Sequence, residues 1–252
     1  MKPVVSLITL FTVLGISTIS LALPVIDIEA AIGGWMQIPS GNVAYPSDAE
    51  PVNADDLNYD TETKIYGRAL VDLPVLPTLY IMAAPMTFEG EGQGDFSWAG
   101  DPIDADVPFS SKLTLNQTDV TLYYSLPLLN LATLGALNID LGLDARHMDV
   151  EFYIEQEQIA LQGSQDFTVW VPMIYVAAQL SPTDNWSLEA EFRGISYSDA
   201  TAYSLIARLK AKIFGPAFAA GGYRYDAIDI DEQDIRLDVS IGGPFIEAGI
   251  QF

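Results

Sequence analysis

The sequence predicts an all-β protein, a transmembrane antiparallel up-and-down β-barrel of ten strands, with eight or twelve strands as the alternatives. Half of the 252 residues are apolar, and they alternate with polar or small residues, which suits a barrel that is apolar outside and polar inside. Beyond the N-terminal segment, no stretch approaches the ~20 consecutive apolar residues of a membrane helix. Long acidic links also alternate with short turns, as they do in barrels whose outer loops are long.

The first three strands are predicted at 25–37, 64–72 and 78–88. The first alternates apolar residues such as Ile28 with acidic ones such as Glu29. The second carries its apolar residues at odd positions, whereas the third has no clear facing. Alternation of this kind is the primary signal of a half-buried strand.

The fourth to sixth strands are predicted at 111–125, 139–146 and 167–180. The fifth shows the clearest pattern, in which Leu141 and its odd-numbered neighbours oppose Asp140 and its even-numbered neighbours. The sixth strand has an unclear phase. The fifth strand therefore fixes which residues of this region face lipid.

The last four strands are predicted at 186–193, 203–213, 217–226 and 234–252. The final segment has a phase break, because Ile241 and the apolar residues before it have the opposite parity to those after the Gly-Gly-Pro segment 242–244. A β-bulge there would restore the parity, whereas a tight turn would create an eleventh strand. The bulge is favoured because single-chain bacterial barrels have even strand counts.

The links differ in length according to the end of the barrel. Three long links, 38–62, 89–110 and 155–166, are mostly acidic, and three short ones lie at 73–77, 181–185 and 214–216. The exception is 127–136, whose leucines predict a short helical turn at the inner interface. The loop carboxylates are Asp48, Glu50, Asp55, Asp56, Asp60, Glu89, Glu91, Asp95, Asp101, Asp104, Asp106, Asp229, Asp231, Glu232 and Asp234. Two interpretations stay open for them: solvation, or divalent cations that bridge the loops to lipopolysaccharide phosphates.

The N-terminus is typical of a secretory signal peptide. Lys2 precedes the apolar stretch 4–14, and Ser20 and Ala22 are small residues at the expected cleavage positions. We expect residues 1–22 to be the signal peptide and residues 23–252 to be one barrel domain in the bacterial outer membrane. An uncleaved inner-membrane anchor is the alternative.

Charged residues are predicted to line the lumen, because a lipid-facing Lys or Arg at mid-depth costs about 2–4 kcal/mol. The predicted lumen charges are Asp27, Glu29, Lys64, Arg68, Asp119, Asp140, Asp144, Arg146, Glu189, Glu191, Arg193, Arg208, Lys210, Lys212, Arg224, Asp226, Arg236 and Asp238. Acids and bases are nearly balanced, and their pairing offsets part of the desolvation cost. This favours a structural barrel or a narrow pore with a charge-paired lumen. The alternative is a small-solute channel that prefers anions, attracted by the basic run Arg208, Lys210 and Lys212.

Catalytic chemistry has little support in the sequence. A net charge of −23 excludes nucleic acid as a natural partner, and the absence of cysteine excludes a thiolate site. The single histidine, His147, is followed by Asp149 where a deacylase-like His-x-Ser arrangement would need serine. We therefore expect that the protein is not an enzyme, and we assign no catalytic, cofactor or metal residue. The alternative is a lipid-acting surface enzyme that uses His147.

Aromatic residues are expected at the membrane interfaces, where Trp and Tyr form girdles. The candidates are Trp35, Trp186, Tyr203, Tyr223 and Tyr225.

The segment Gly33-Gly34-Trp35, the segment 242–244 and the terminal Phe252 resemble a family of small, uncharacterised outer-membrane β-barrel proteins of Gram-negative bacteria. The resemblance covers the whole chain and implies no activity. It implies that the last strand is the recognition tag for the barrel-assembly machinery, carried here by Ile246, Ala248, Ile250 and Phe252. Outer-membrane lipid and lipopolysaccharide are the other expected partners.

Overall fold

The computed structural model describes residues 26–44, 52–53, 57–93, 96–98, 101–103, 107–197, 200–232 and 235–252. The predicted signal peptide, residues 1–22, lies outside them. The strands are β1 (Asp27–Ala44), β2 (Val52–Asn53), β3 (Glu62–Asp72), β4 (Thr78–Ala84), β5 (Thr87–Gly92), β6 (Phe96–Trp98), β7 (Asp101–Ile103), β8 (Phe109–Ser125), β9 (Leu137–Gln156), β10 (Leu161–Thr183), β11 (Trp186–Tyr197), β12 (Ala200–Phe214), β13 (Ala217–Glu232) and β14 (Ile235–Gln251). A short helix, α1 (Pro127–Ala132), and a 3-10 turn, Glu157–Ile159, complete the elements.

The strands form a closed antiparallel barrel. Neighbours in sequence pair with one another around the wall, and the pairing of β14 with β1 closes it. The wall has ten strands, because β4 and β5 both pair with β8 as parts of one interrupted strand. The two-residue β2 adds only to the outer end of β1, and β6 and β7 form a separate pair. The predicted ten-stranded, up-and-down, all-β barrel is confirmed.

Alternation along each strand separates an outer wall from the lumen. Large apolar side chains that face outward, including Ile65, Leu143 and Ile246, are 68%, 71% and 74% exposed. Charged side chains at the intervening positions, such as Arg68 and Arg146, are buried inside the barrel. No helix among the described residues combines the length and apolar character needed to cross a membrane.

The predicted bulge in the last strand is wrong. β14 keeps a single register against both β1 and β13 through residues 242–244. Val239 and Ile241 therefore face the lumen, where both are buried. The phase break arises because the outer half of the barrel interior is apolar. The apolar residues of β14 therefore face the lumen in that half and the membrane in the inner half, while the strand itself stays regular.

Some links are shorter than predicted. β9 and β10 form a long hairpin that closes through the turn 157–160, so most of the predicted link 155–166 is strand. The third wall strand is interrupted around Pro85, between β4 and β5, because proline lacks the N–H that a ladder requires. The helical turn predicted within 127–136 corresponds to α1.

Candidate functional site

The middle of the lumen is filled by charged side chains that come from most strands of the wall. This charge layer consists of Glu29, Arg68, Asp119, Asp144, Arg146, Glu189, Glu191, Arg193, Arg208, Lys210, Arg224, Asp226 and Glu247. Each lies at an inward position of its strand, and Glu189 is the most accessible, with 15% of its side chain exposed. The alternation of the strands thus gathers charges that are far apart in sequence.

One half of the charge layer centres on Glu247. Its carboxylate accepts hydrogen bonds from the Tyr66 hydroxyl at 2.7 Å and from Arg68 Nη2 at 2.8 Å. Arg208 Nη1 donates to the same carboxylate at 3.5 Å. Arg68 also lies 2.6 Å from Glu29. This half therefore joins β1, β3, β12 and β14 through shared carboxylates.

The other half centres on Asp119. Arg146 donates to its two carboxylate oxygens at 2.6 and 3.0 Å, a bidentate contact. Arg146 also lies 3.6 Å from Asp226, which accepts a hydrogen bond from Arg224 Nε at 2.8 Å. Arg193 joins the two halves, because it contacts both Asp119 and a glutamate of the first half, Glu191, at 3.8 and 3.0 Å.

Aromatic rings lie over two of the arginines that also contact carboxylates. The Arg193 guanidinium lies 5.0 Å from the ring centre of Tyr80 and 4.9 Å from that of Tyr175. The Arg224 guanidinium lies 4.4 Å from the ring of Trp35. Such contacts stabilise desolvated cations by roughly 2 kcal/mol or more.

Several residues predicted for the lumen lie elsewhere. Asp238 faces outward and is exposed, because β14 lacks the bulge that would have turned it inward. Lys212 is exposed at the inner rim, and Lys64 makes a half-exposed pair with Glu62 at 3.3 Å near the outer end of β3. The side chain of Arg236 is outside the described part of the chain.

Two further acidic residues lie below the charge layer, in a vestibule open towards the short turns. Asp27 and Asp140 line this cavity of about 190 Å³. Ser125 and Asn138 donate hydrogen bonds to Asp140 at 2.6 and 2.7 Å. A wider mouth of about 490 Å³, lined by Lys212, follows at the rim.

Sequence reasoning missed Glu247. The same alternation that places Ile246 and Ala248 on the outer face gives Glu247 an inward position. That signal was present in the sequence. What it did not reveal is that three partners from β3 and β12 converge on this carboxylate, because their meeting depends on closure of the barrel.

Above the charge layer the lumen is filled by apolar side chains. This outer apolar layer consists of Trp35, Leu57, Met86, Phe88, Phe109, Leu113, Leu115, Phe152, Ile154, Val239 and Ile241, all buried. Tyr59 packs on it, with ring centres 6.3 Å from Phe88, and burial raises the pKa of Tyr59 to about 12. The outer half of the barrel is therefore closed by hydrocarbon.

The girdle prediction for Trp35 is wrong. Trp35 is fully buried in the lumen because its odd position on β1 faces inward. Trp186 and Tyr223 do face outward and are each 51% exposed. The rings of Tyr203 and Tyr225 lie 6.0 Å apart on the outer face of β12 and β13.

His147 lies on the outer face of β9, partly exposed. Its ring packs edge-on against Trp170 at 4.7 Å, and Nε2 lies 4.0 Å from Asp149. Asp149 in turn accepts a hydrogen bond from Thr168 at 3.0 Å. His147 thus lies against an aromatic ring and near a carboxylate on the barrel wall.

Eight of the fifteen acidic loop residues lie outside the described residues: Asp48, Glu50, Asp55, Asp56, Asp95, Asp104, Asp106 and Asp234. Of the others, Glu89 and Glu91 belong to β5, and Asp229 belongs to β13. Glu89 pairs with Lys112 at 3.0 Å. Part of the predicted acidic loops is therefore the outer margin of the wall.

The sequence matches no model of a protein family and no curated protein. Solved structures that resemble the barrel include Ail, the attachment invasion locus protein of Yersinia pestis (9% identity, 90% of this chain and 98% of that chain, TM-score 0.33). An outer membrane channel from Pseudomonas putida F1 is 10% identical over 92% of this chain and 97% of that chain, with a TM-score of 0.41. The translocator domain of the autotransporter NalP from Neisseria meningitidis is 12% identical over 90% and 87% of the two chains, with a TM-score of 0.40.

These similarities concern the barrel and say nothing of an activity. The wall itself is informative, because strands span a membrane as a barrel that closes on itself and has an apolar outer face. The chain is a membrane-spanning β-barrel protein with the architecture of the outer-membrane type.

Proposed function

We propose that this protein is a non-enzymatic structural barrel whose lumen is closed to solutes. The observation that carries the proposal is the stacking of two layers of buried side chains across the lumen. Arg146, Arg193, Arg208 and Arg224 each have at most 2% of their surface exposed. Trp35 and Phe88, in the outer apolar layer, are fully buried.

The charge balance argues against an anion-preferring channel. Of the basic run that suggested one, Arg208 contacts Glu191 and Glu247, and Lys210 pairs with Glu29. A channel that attracts anions needs uncompensated positive charge along its path. These two cations have their charges matched by carboxylates in contact.

Single-channel recording on the refolded protein in planar bilayers tests the proposal. We expect no conductance steps under either anion or cation gradients, once insertion has been verified by protease protection. Reproducible ion-selective steps would overturn it. If such steps fell in Lys210→Gln but not in Lys112→Gln, where the lysine lies on the exposed outer part of β8, the channel would run through the lumen.

The non-enzymatic part of the proposal has its own test. The purified barrel should release no fatty acid from phospholipid or lipid A in detergent micelles. A hydrolase activity that disappeared in His147→Ala, with the fold intact, would contradict the proposal.

The expected partners remain part of the proposal. Divalent cations bound at the acidic outer margin would bridge the protein to lipopolysaccharide phosphates, since carboxylate oxygens suit hard cations. The test is whether Mg²⁺ raises the affinity of the refolded barrel for lipopolysaccharide and whether Glu89→Gln with Glu91→Gln removes that increase. No increase with Mg²⁺ would contradict it.

A further inference from the structure

The ladder between β10 and β11 stops before either strand does. Its described pairs run from Thr183 and Trp186 at the inner end to Ile174 and Gly194. β10 continues outward to Leu161 and β11 to Tyr197, yet within the described residues these continuations are not paired with each other. The continuation of β10 pairs with β9 alone. The barrel wall therefore has a gap in its outer part.

Pro172 lies at this gap, two residues beyond the last pair. Because proline lacks a backbone N–H, it is confined in sheets to edge strands and bulges. β10 accordingly behaves as an edge strand from Met173 outward. Pro172 thus has no N–H for a ladder hydrogen bond at the point where the pairing ends.

Two apolar cavities meet at the gap, one on the outer wall and one inside the barrel. On the outer wall, a groove of about 760 Å³ is lined by residues such as Leu143, Phe192 and Leu205. Inside, a cavity of about 370 Å³ is lined by Leu115, Val150 and other apolar residues. The two spaces share Pro172, Ile195 and Thr201, so they meet at the gap.

The lumen beneath the gap has its own apolar cluster. Met148, Ala202 and Ile228 are buried and face inward, with Val171 and Ile195 packed against them. All five residues line the inner cavity. An apolar chain that entered through the wall would therefore contact these apolar side chains and not the charge layer.

The gap opens towards the membrane. The outward residues below it, Ile174 and Leu205, are 56% and 47% exposed and belong to the apolar wall. Trp170, Tyr197 and Tyr203 flank it, and such residues mark the border between hydrocarbon and headgroups. The gap therefore lies where the acyl region of the outer leaflet meets the headgroups, directly above the apolar wall.

We infer that this gap is a lateral binding site for one acyl chain of a membrane lipid, which inserts between β10 and β11 into the cavity above Met148. The lining is apolar, the opening is continuous with the lipid-facing wall, and cavities of ~300–1,000 Å³ are typical of ligand sites. The site lies on the outer side of the charge layer and requires no conducting pore, so it does not depend on conduction through the lumen.

Photocrosslinking tests this assignment. The barrel is reconstituted in vesicles that contain a phospholipid with a diazirine in one acyl chain, irradiated, and mapped by mass spectrometry. We expect labels on the inward-facing Met148 and Ile228, as well as on wall residues such as Leu205. The inward-facing Met82 and Ala84 should stay unlabelled, although Ala84 and Met148 are at the same level, both paired with Gln117.

Filling the cavity should abolish the inner labels. Ala202→Phe places a ring in the cavity, whereas Ala207→Phe adds the same ring to the lipid-facing side of β12. Labelling of Met148 should fall to the level of Met82 in Ala202→Phe and persist in Ala207→Phe. Ile228→Trp serves as a second filling variant if Ala202→Phe does not fold.

Three outcomes would overturn the inference. The first is that Met148 and Ile228 are labelled no more than Met82 in the unmodified protein. The second is that a filling variant which folds keeps full labelling. The third is that a diazirine-bearing free fatty acid labels Met148 while the phospholipid does not, because the occupant would then be a free fatty acid and not a chain of a membrane lipid.

Discussion

At the scale of single residues, Glu247 shows how the interior depends on groups that are paired. It is buried, and its partners Tyr66, Arg68 and Arg208 come from β3 and β12. Removal of one partner from a buried ion pair leaves a charge without compensation, which costs about 3–5 kcal/mol.

Glu247→Gln should therefore lower the free energy of unfolding by about 3–5 kcal/mol, because Arg68 and Arg208 lose a shared negative charge. The measurement is urea unfolding of the refolded barrel, followed by tryptophan fluorescence. Glu89→Gln is the matched control. It breaks the exposed pair with Lys112, and such pairs contribute about 0–1 kcal/mol. Equal effects of the two variants would contradict the role given to the charge layer.

Trp35→Ala should cost about 3–5 kcal/mol, because it leaves a cavity in a filled lumen. Trp186→Ala, on the half-exposed outer wall at the inner end of β11, removes the same side chain and should cost clearly less. Both free energies can be measured by chemical unfolding with circular dichroism as the signal. A larger loss in Trp186→Ala would argue that Trp35 is on the wall.

The residues of the lumen could be predicted only in part. Period-two alternation sufficed for most of the charge layer, because each strand decides its own facing. It failed for Asp238 and Trp35, because a rule that the inner face is polar does not hold where the outer apolar layer fills the barrel. No local sequence pattern indicates at which height in the barrel the side chains that line the lumen change from charged to apolar.

At the scale of elements, the seam between β1 and β14 tolerates little extra volume. A Cβ added at Gly243 would lie 1.7 Å from the Met36 carbonyl oxygen, a backbone atom. At Gly34, on the other strand of the seam, the nearest atom is the Thr63 Cγ2, at 3.9 Å.

Gly243→Ala should therefore force the seam apart and lower the free energy of unfolding by about 1–3 kcal/mol. Gly34→Ala should change it by less than about 0.5 kcal/mol, as surface substitutions usually do. Equilibrium unfolding in lipid vesicles distinguishes the two. Equal free energies of unfolding for the two variants would mean that β1 and β14 lie further apart at Gly243 than this structure shows.

The end of β14 gives a further prediction. Phe252 exchanges two backbone hydrogen bonds with Ile28, at 3.1 and 2.9 Å, and its side chain is 66% exposed. Phe252→Ala keeps the backbone bonds, so the purified protein should still refold in detergent. If the aromatic side chain is read by the assembly machinery, the same variant should accumulate unfolded in cells. Normal assembly in cells would contradict the tag.

The order and facing of the elements were largely predictable, and their ends were not. Most of the ten strands follow from alternation, and the lengths of the links support the count, although the predicted strands 78–88 and 167–180 have no clear facing. The hairpin of β9 and β10 extends through 155–166 because its two strands pair with each other along their whole length, whatever their solvent exposure. Such cross-strand pairing leaves no mark in either segment by itself.

At the scale of the whole molecule, the wall predicts how the barrel sits in the bilayer. Leu209 faces outward two residues from the middle of β12, whereas Phe214 ends the same strand at the inner rim. Lipid-facing arginine costs about 2–4 kcal/mol at the midplane and about 0–1 kcal/mol near the interface.

Leu209→Arg should therefore destabilise the barrel in vesicles by about 2–4 kcal/mol and Phe214→Arg by at most about 1 kcal/mol. Guanidinium titration with reversible refolding gives both values. If Phe214→Arg were the more harmful, the inner rim would lie deeper in the membrane than the pattern of the wall indicates.

The charge layer also has a consequence for how the chain folds. The contacts Lys210–Glu29 and Tyr66–Glu247 each join residues 181 positions apart. In a half-formed sheet these charged groups would have no partners, and their transfer into the hydrocarbon of the membrane would be unfavourable. Insertion and sealing of the cylinder should therefore be one concerted kinetic event, with the nascent sheet kept hydrated until its first and last strands meet.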